Sequence, residues 1–280
     1  MEYEIQQVQA TPEHLVDAVE KAHVDIQVTT AKAYPRDIVR ARNNSIALVT
    51  MDKKTAESCS YALPRSGKPI TGPSVHLARI LAQQYGNLRA EAKVVEITDR
   101  QVVSRATAWD LENNYAVAFE VRRSIWSNRS GRYNDDMITV TGNAANAIAY
   151  RNAVLAVIPK SITDAAADAA LKFITGDLSD NEKLIARRKK MIDYFLSEYG
   201  IKEEEVLKML GKQTLNQIKA EQIAIMISTE QALKDGDTTV AELMKDIRGS
   251  DSDKVAQAED KKAALKAKKE TGKPTQGSLL

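Results

Sequence analysis

Three stretches decide the fold: Leu88-Arg89-Ala90-Glu91-Ala92-Lys93-Val94, Val103-Ser104-Arg105-Ala106-Thr107-Ala108-Trp109 and Tyr115-Ala116-Val117-Ala118-Phe119-Glu120-Val121. In the first, Leu88, Ala90, Ala92 and Val94 recur at every second position; Val103, Arg105, Thr107 and Trp109 do so in the second, and Tyr115, Val117, Phe119 and Val121 in the third. A period of two is the signature of a half-buried strand. The connections, Thr98-Asp99-Arg100 and Leu111-Glu112-Asn113-Asn114, are too short for the crossover of a dozen or more residues that parallel neighbours require. The pattern therefore predicts a three-stranded antiparallel meander.

Outward from the meander the signals turn helical. Downstream, a polar and basic loop from Ser124 to Tyr133 leads into an alanine-rich helix containing Ala144, Ala145, Ala147, Ile148, Ala149, Val154, Leu155 and Val157. Its small side chains allow close packing on a sheet, and Ile158-Pro159 ends it. Upstream, Ser74 caps a helix with Val75, Leu77, Ala78 and Leu81 as its buried stripe, closed by Gly86. Before that, residues 58–63 and 68–71 flank Pro64-Arg65-Ser66-Gly67 as a hairpin, and a helix from near Pro35 carries Ile38, Val39, Arg42, Ile46 and Val49 on one broad face. Thr11-Pro12 opens another helix. From Ser161 on, the pattern is helical, with segments near 164–175, 180–199, 202–210 and 219–235, and Thr239-Val240-Ala241-Glu242 is a capping box opening one more. The fold class expected is α+β: a hairpin and three-stranded meander packed on a long helix, then an all-helical C-terminal region. The division expected is an N-terminal helical segment at 1–34, an α+β core at 35–176, a helical module at 177–249, and a disordered charged tail at 250–280 that holds almost no large apolar residue.

The 280 residues are 43% apolar and 28% charged, an ordinary globular balance. No apolar run reaches the roughly 18 residues of a membrane span, and Met1-Glu2-Tyr3-Glu4 is not a secretory leader, so a soluble, cytoplasmic protein is expected. One cysteine and three histidines leave no framework for a disulfide or a structural zinc. Net charge is only +2, but residues 60–160 hold 13 basic against 8 acidic side chains, whereas residues 161–250 hold 13 against 16. The middle of the chain is the part suited to an anion.

Neither Gly67-Lys68-Pro69 nor Gly272-Lys273-Pro274 has the spacing of a phosphate cradle, and His14, His23 and His76 lie away from any nucleophile elbow; no cofactor is expected. Asp110, Glu112, Asp135 and Asp136 offer a metal-nuclease alternative, although Asn134-Asp135-Asp136 also makes a good helix start. The constellation left over is cationic and aromatic: Arg122, Arg123, Trp126, Arg129, Arg132 and Tyr133. Arginine grips phosphate and aromatic faces accept any base. Successive strand residues point to opposite faces, so only one of Arg122 and Arg123 can face a given groove. Arg151 in the alanine-rich helix and Lys160 after it are further candidates, with Arg65 and Lys68 at the hairpin tip as an opposite wall. Arg187-Arg188-Lys189-Lys190 could receive an acidic peptide tail.

Gly72-Pro73-Ser74-Val75-His76-Leu77-Ala78, Tyr85-Gly86-Asn87-Leu88, Ala108-Trp109-Asp110-Leu111-Glu112 and Arg151 through Val157-Ile158-Pro159 resemble phage single-strand annealing proteins, the group that includes RecT, Redβ and the ring-forming eukaryotic annealing proteins. The resemblance covers roughly residues 35–175. It implies ATP-independent binding of single-stranded DNA and annealing of complementary strands, a DNA groove with Arg151 on the helix lining it, and assembly into rings or helical filaments. It also implies a helical C-terminal module that recruits the host single-strand binding protein. Relatives carry a denser basic cluster in that helix, where this chain has Ala147, Ala149 and Asn152. The weight therefore shifts to Arg122, Arg123, Arg129 and Arg132. An oligomeric scaffold whose basic loop meets a protein partner is the reading from another class.

Overall fold

A computed structural model describes residues 12–63, 70–127, 131–176 and 180–245. It is an α+β structure. Contacts divide it into two compact units, one made of Met1–Cys59 and Pro73–Phe173, the other of Ser60–Gly72 and Ile174–Leu280.

The first unit is built on the meander. Its strands β3 (Leu88–Ile97), β4 (Gln101–Asp110) and β5 (Tyr115–Ser124) come after a hairpin of β1 (Ser60–Leu63) and β2 (Ile70–Pro73), and they pair antiparallel in the order β3-β4-β5. Register runs from Leu88 opposite Asp110 to Ile97 opposite Val102, with a shift between Val94 and Glu96, and from Asp110 opposite Tyr115 to Gln101 opposite Ser124. The pairing settles which parity is inside. Leu88, Ala90, Ala92 and Val94 share a face with Tyr115, Val117, Phe119 and Val121, but their mates on β4 are Asp110, Ala108, Ala106 and Ser104. Val103, Arg105, Thr107 and Trp109 belong to the opposite face. Because β4 is central and apolar or small at nearly every position, alternation within it could not say which parity meets the helix.

That helix is α5 (Asp135–Val157), which follows α1 (Pro12–Ala33), α2 (Ile38–Val49), α3 (Lys53–Ser58) and α4 (Val75–Tyr85) in the chain. Asn134 caps α5 by accepting from the Met137 N–H at 2.9 Å, with Asp135 and Asp136 in the first turn, where carboxylates suit the helix dipole. Close packing needs a missing side chain: a Cβ at Gly142 would sit 3.2 Å from Val94 Cγ2. Val102, Ile125, Ile138 and Ala145 form the core there, with Val94, Val121 and Tyr133 packed around it. Ser74 caps α4 as the sequence indicates, and Val75, Leu77, Ala78 and Leu81 are buried. In α2, capped by Asp37, Val49 is buried as expected, but its buried companions are Ala41 and Ser45, while Ile38 and Val39 are exposed. The small residues face inward because α2 packs on α4.

The second unit contains the β1–β2 hairpin, helices α7 (Asn181–Tyr199), α8 (Glu203–Met209) and α9 (Ala220–Lys234), and a helix entered at Val240. The preceding helix, α6 (Lys160–Gly176), contains the boundary between the units. The sequence reading groups the hairpin with the core at 35–176; in the structure β1 packs along α9, and the Ser60 and Ser228 hydroxyls lie 2.7 Å apart. Sequence distance hides this, because 168 residues separate the two serines. Gly72 permits the hairpin, since a Cβ there would come within 2.9 Å of the Tyr61 ring. Phe195, Ile201, Val206, Ile218, Ile223 and Met226 fill the core. Thr239 and Glu242 exchange the reciprocal bonds of the capping box. Residues 250–280 lie outside the described residues.

Candidate nucleic-acid interface

The residues between β5 and α5 form a small ribbon, β6 (Trp126–Ser127) paired with β7 (Gly131–Arg132), Trp126 standing opposite Arg132. Hydrogen bonds tie this ribbon to the β3–β4 turn: the Ile125 N–H donates to the Arg100 carbonyl at 2.8 Å, and an Arg132 guanidinium N–H donates to the Thr98 carbonyl at 2.7 Å. The Arg100 guanidinium then lies 5.1 Å from the centroid of the Trp126 ring, within the range of a cation–π contact, and the indole stays 40% exposed. One arginine and one ring thus meet at a solvent-open corner of the sheet.

From that corner a row of cations runs along the face of the sheet opposite α5. Arg122 stands opposite Val103, and Lys93 stands opposite Arg105; all three charged side chains are exposed. Like charges directly opposite one another in a sheet are destabilising. Glu120, opposite Arg105 on the other side, offsets part of that repulsion. The half of this face farther from that corner is flanked by α1, where Glu20 meets Arg89 at 3.4 Å and Val24, Arg89, Glu91, Thr107 and Trp109 line a small cleft. From Arg100 to Arg105 the row spans about 16 Å at the rise of a strand.

The other sequence candidates scatter. Arg123 points to the helix side and is partly buried opposite Val102, as strand geometry demanded of one member of the Arg122–Arg123 pair. Tyr133 is partly buried and packs against the core beneath α5. Arg151 is 8% exposed and donates from Nε to Asn152 Oδ1 at 3.3 Å, so little of it reaches the surface of α5. Lys160 is exposed and ion-paired with Asp164 at 2.6 Å, one helical turn on. Arg65, Lys68 and Arg129 lie outside the described residues. Sequence reasoning did not single out Arg100, Lys93 and Arg105; parity on β3 and β4 places Lys93 and Arg105 on the open face once the inward parity is known, whereas Arg100 lies in the turn between the strands.

Asp110 and Glu112 take part in a buried knot. Arg36 donates from Nη1 to Asp110 Oδ2 at 2.9 Å and from Nε to Glu112 Oε1 at 3.1 Å, while its second terminal nitrogen bonds the other Asp110 oxygen. The Arg36 backbone N–H also donates to Glu112 Oε1, at 2.8 Å. Asn113 donates to Asp110, Asn87 to Glu112 and to the Tyr34 carbonyl, and the guanidinium lies over the Tyr85 ring at 3.8 Å. Burial pushes the Asp110 carboxyl upward, but hydrogen bonds from Arg36 and Asn113 outweigh it and hold the group below the usual carboxylate range. Glu112 is lowered likewise, burial being overcome by bonds from Asn87 and Arg36. Burial opposes the Arg36 charge, yet the bond to Asp110 leads the effects that raise its pKa. The oxygens that a metal-nuclease reading would need are spent on Arg36 and its neighbours, and Asp135 and Asp136 serve the start of α5. Among the described residues no three His, Cys, Asp or Glu side chains form a group able to hold a metal ion.

In the second unit the basic run of α7 divides by helical phase. Arg188 is buried and donates to the Ile218 carbonyl at 2.8 Å, so it braces the chain entering α9. Lys189 and Lys190 are exposed, and Arg187 is half-buried. A cleft of about 420 Å³ opens beside them, lined by Ile185, Arg188, Lys189, Ile192, Glu203 and Leu215 among others. Among the described residues no helix is long and apolar enough to cross a membrane. No family model, curated protein or solved structure matches the chain.

Proposed function

We propose that this protein binds single-stranded DNA and anneals complementary strands without nucleotide hydrolysis, in the manner of the RecT and Redβ annealing proteins that its sequence resembles. The observation that carries the reading is the exposed Trp126 ring under the Arg100 guanidinium, placed at the head of the row Arg122, Arg105 and Lys93. A single-strand groove needs cations for the sugar–phosphate backbone and a ring face for bases of any identity. Strand pairing is downhill by about 1.4 kcal/mol per base-pair step. A catalyst of annealing therefore holds phosphates, straightens the strand and leaves base edges open, which requires no energy source.

Four to six basic contacts per protomer give a salt slope of only about −3 to −4 on single strands, so long tracts call for an oligomer. We assign the protein to the bacterial host cytoplasm. Its second unit is read as the recruiting module for the host single-strand binding protein, whose acidic tail would meet Lys189 and Lys190 beside the α7 cleft.

The test mixes the purified protein with complementary oligonucleotides in the absence of ATP and follows duplex formation and strand length. Faster pairing of intact strands is expected. Shortened strands would turn the assignment to a nuclease, and no binding in dilute buffer would reject it in favour of a scaffold.

A further inference from the structure

An arginine beside an indole occurs at both ends of the open face of the three-stranded sheet. At one end Arg100 lies over Trp126. At the other, about 30 Å away at the rise of a strand, Arg89 on β3 stands directly opposite Trp109 on β4. Lys93, Arg105 and Arg122 lie between the two. Directly opposed residues share a face, so Arg89 and Trp109 continue the cationic row. On β5 the residues opposite Trp109 and Thr107 are Ala116 and Ala118, small and exposed, which leaves the indole approachable from that side.

The far pair differs in being covered. Glu20 of α1 meets Arg89 at 3.4 Å, and Glu91 of β3 lies 3.9 Å from the same guanidinium. The cover is thin. From Asp17 to Ala33 only Val24, Val28 and Ala31 escape full exposure, a single stripe at helical spacing. Among the described residues α1 packs extensively on no other element, and a cleft of about 170 Å³ stays open where Val24 faces Arg89, Glu91, Thr107 and Trp109. A helix belonging to the core would close such a gap, because protein interiors are packed as densely as organic crystals. Only the last turn is fixed: Ala31 is buried, and Asn87 donates to the Ala31 and Tyr34 carbonyls at 3.5 and 2.9 Å. The helix is pinned at its C-terminal end and lightly held elsewhere.

We propose that α1 is a strap lifted by single-stranded DNA, uncovering Arg89 and Trp109 as a second subsite of the strand track. The proposal rests on the strand-binding reading above. Glu20 holds the place of a phosphate, presenting to Arg89 the anionic oxygens that a strand would bring, in the kind of exposed ion pair that is weak in water. One anion replaces another, so Arg89 keeps a counter-charge throughout and lifting breaks little beyond the Val24 and Val28 contacts. The freed indole then offers a face to a base, as Trp126 does at the near end.

Hydrogen–deuterium exchange on the full chain, with and without an oligothymidine of about 16 nucleotides, the long end of single-strand site sizes, tests the lifting. Amides of β3–β5 should gain protection while those of Val19–Thr30 exchange at least tenfold faster, since a helix without tertiary packing frays. A protected sheet with α1 unchanged or better protected would overturn the strap and leave strand binding standing; no change anywhere would remove both. Glu20→Gln should tighten oligonucleotide binding about two- to fivefold, the range of an exposed ion pair, and should have no effect in the Arg89→Ala background. An equal gain in both backgrounds would overturn the exchange of Glu20 for phosphate. In Trp126→Phe the remaining indole is Trp109. Its emission should be quenched when the strand binds, and an unquenched indole in the complex would strike Trp109 from the subsite.

Discussion

The two ends of the central strand β4 handle charge in opposite ways. At Asp110 the chain buries a carboxylate and surrounds it with Arg36, Asn113 and, through Glu112, Asn87; at Arg100 it leaves a guanidinium in solvent over an exposed indole. Both ends combine arginine with a ring, since Arg36 also lies over Tyr85. What differs is satisfaction. In the knot each charge meets an opposite charge and the donors are consumed, so its business is to hold the approach to α2 against the sheet. At the open end Arg132 meets Asp99 at 3.9 Å and Glu120 stands opposite Arg105, all in solvent, and on the function proposed above the phosphates of a bound strand would add further counter-charge. An arginine beside an aromatic ring is thus no sign of a binding site until its partners are counted.

The largest effect is expected from Arg36→Ala, which strands two buried carboxylates and should cost about 3–5 kcal/mol in urea unfolding. Oligonucleotide affinity of the folded fraction should be unaffected. A loss of DNA binding at unchanged stability would reverse the roles of the two ends. At the other end, Trp126→Ala should weaken oligonucleotide binding by about 1–3 kcal/mol, the value of one stacked base, measured by anisotropy. Its unfolding midpoint then serves as the control that separates stacking from structure.

Single cations on the open face probe the same contrast more finely. Arg105→Ala or Arg122→Ala should lower the salt slope by about 0.7 for each phosphate that is no longer neutralised. Surface changes of this kind move stability by only about 0.5 kcal/mol. An unchanged slope would remove that residue from the interface.

Acid titration addresses the knot by itself. Asp110 and Glu112 have folded pKa values below their unfolded ones, so their contribution is complete above the ordinary carboxylate range of about 4 and is lost as pH falls through the lowered folded values. Asp110→Asn should flatten that acid limb. The smallest response is expected at Cys59, whose thiol burial pushes up to about 12. It should resist alkylation at pH 8 until the protein is unfolded, and rapid labelling of the native chain would show that its surroundings open readily.

Much of the fold was legible because its signals are local. The strand alternation, the two short turns, Ser74 and Gly86 around α4, the proline that ends α5, and the capping box at Thr239 each act within a few residues, and all are present. The site was less legible. Trp126 and Arg122 occupy open positions, whereas Tyr133, Arg151 and Arg188 are drawn inward, because burial depends on which distant elements pack around a residue. Arg36 gave no local hint, its carboxylate partners lying 74 and 76 residues away.

Local sequence is enough to specify the meander, the alanine-rich helix laid on it and the helical character of the C-terminal half, because strand period, turn length and capping are settled between near neighbours. Tertiary packing selects which parity of β4 faces α5, and with it that Lys93 and Arg105 share the open face while Asp110 is buried with Arg36. It also places the hairpin on α9. These outcomes depend on segments far apart in the chain, where side-chain volume and the pairing of buried charge select one arrangement that no local pattern encodes.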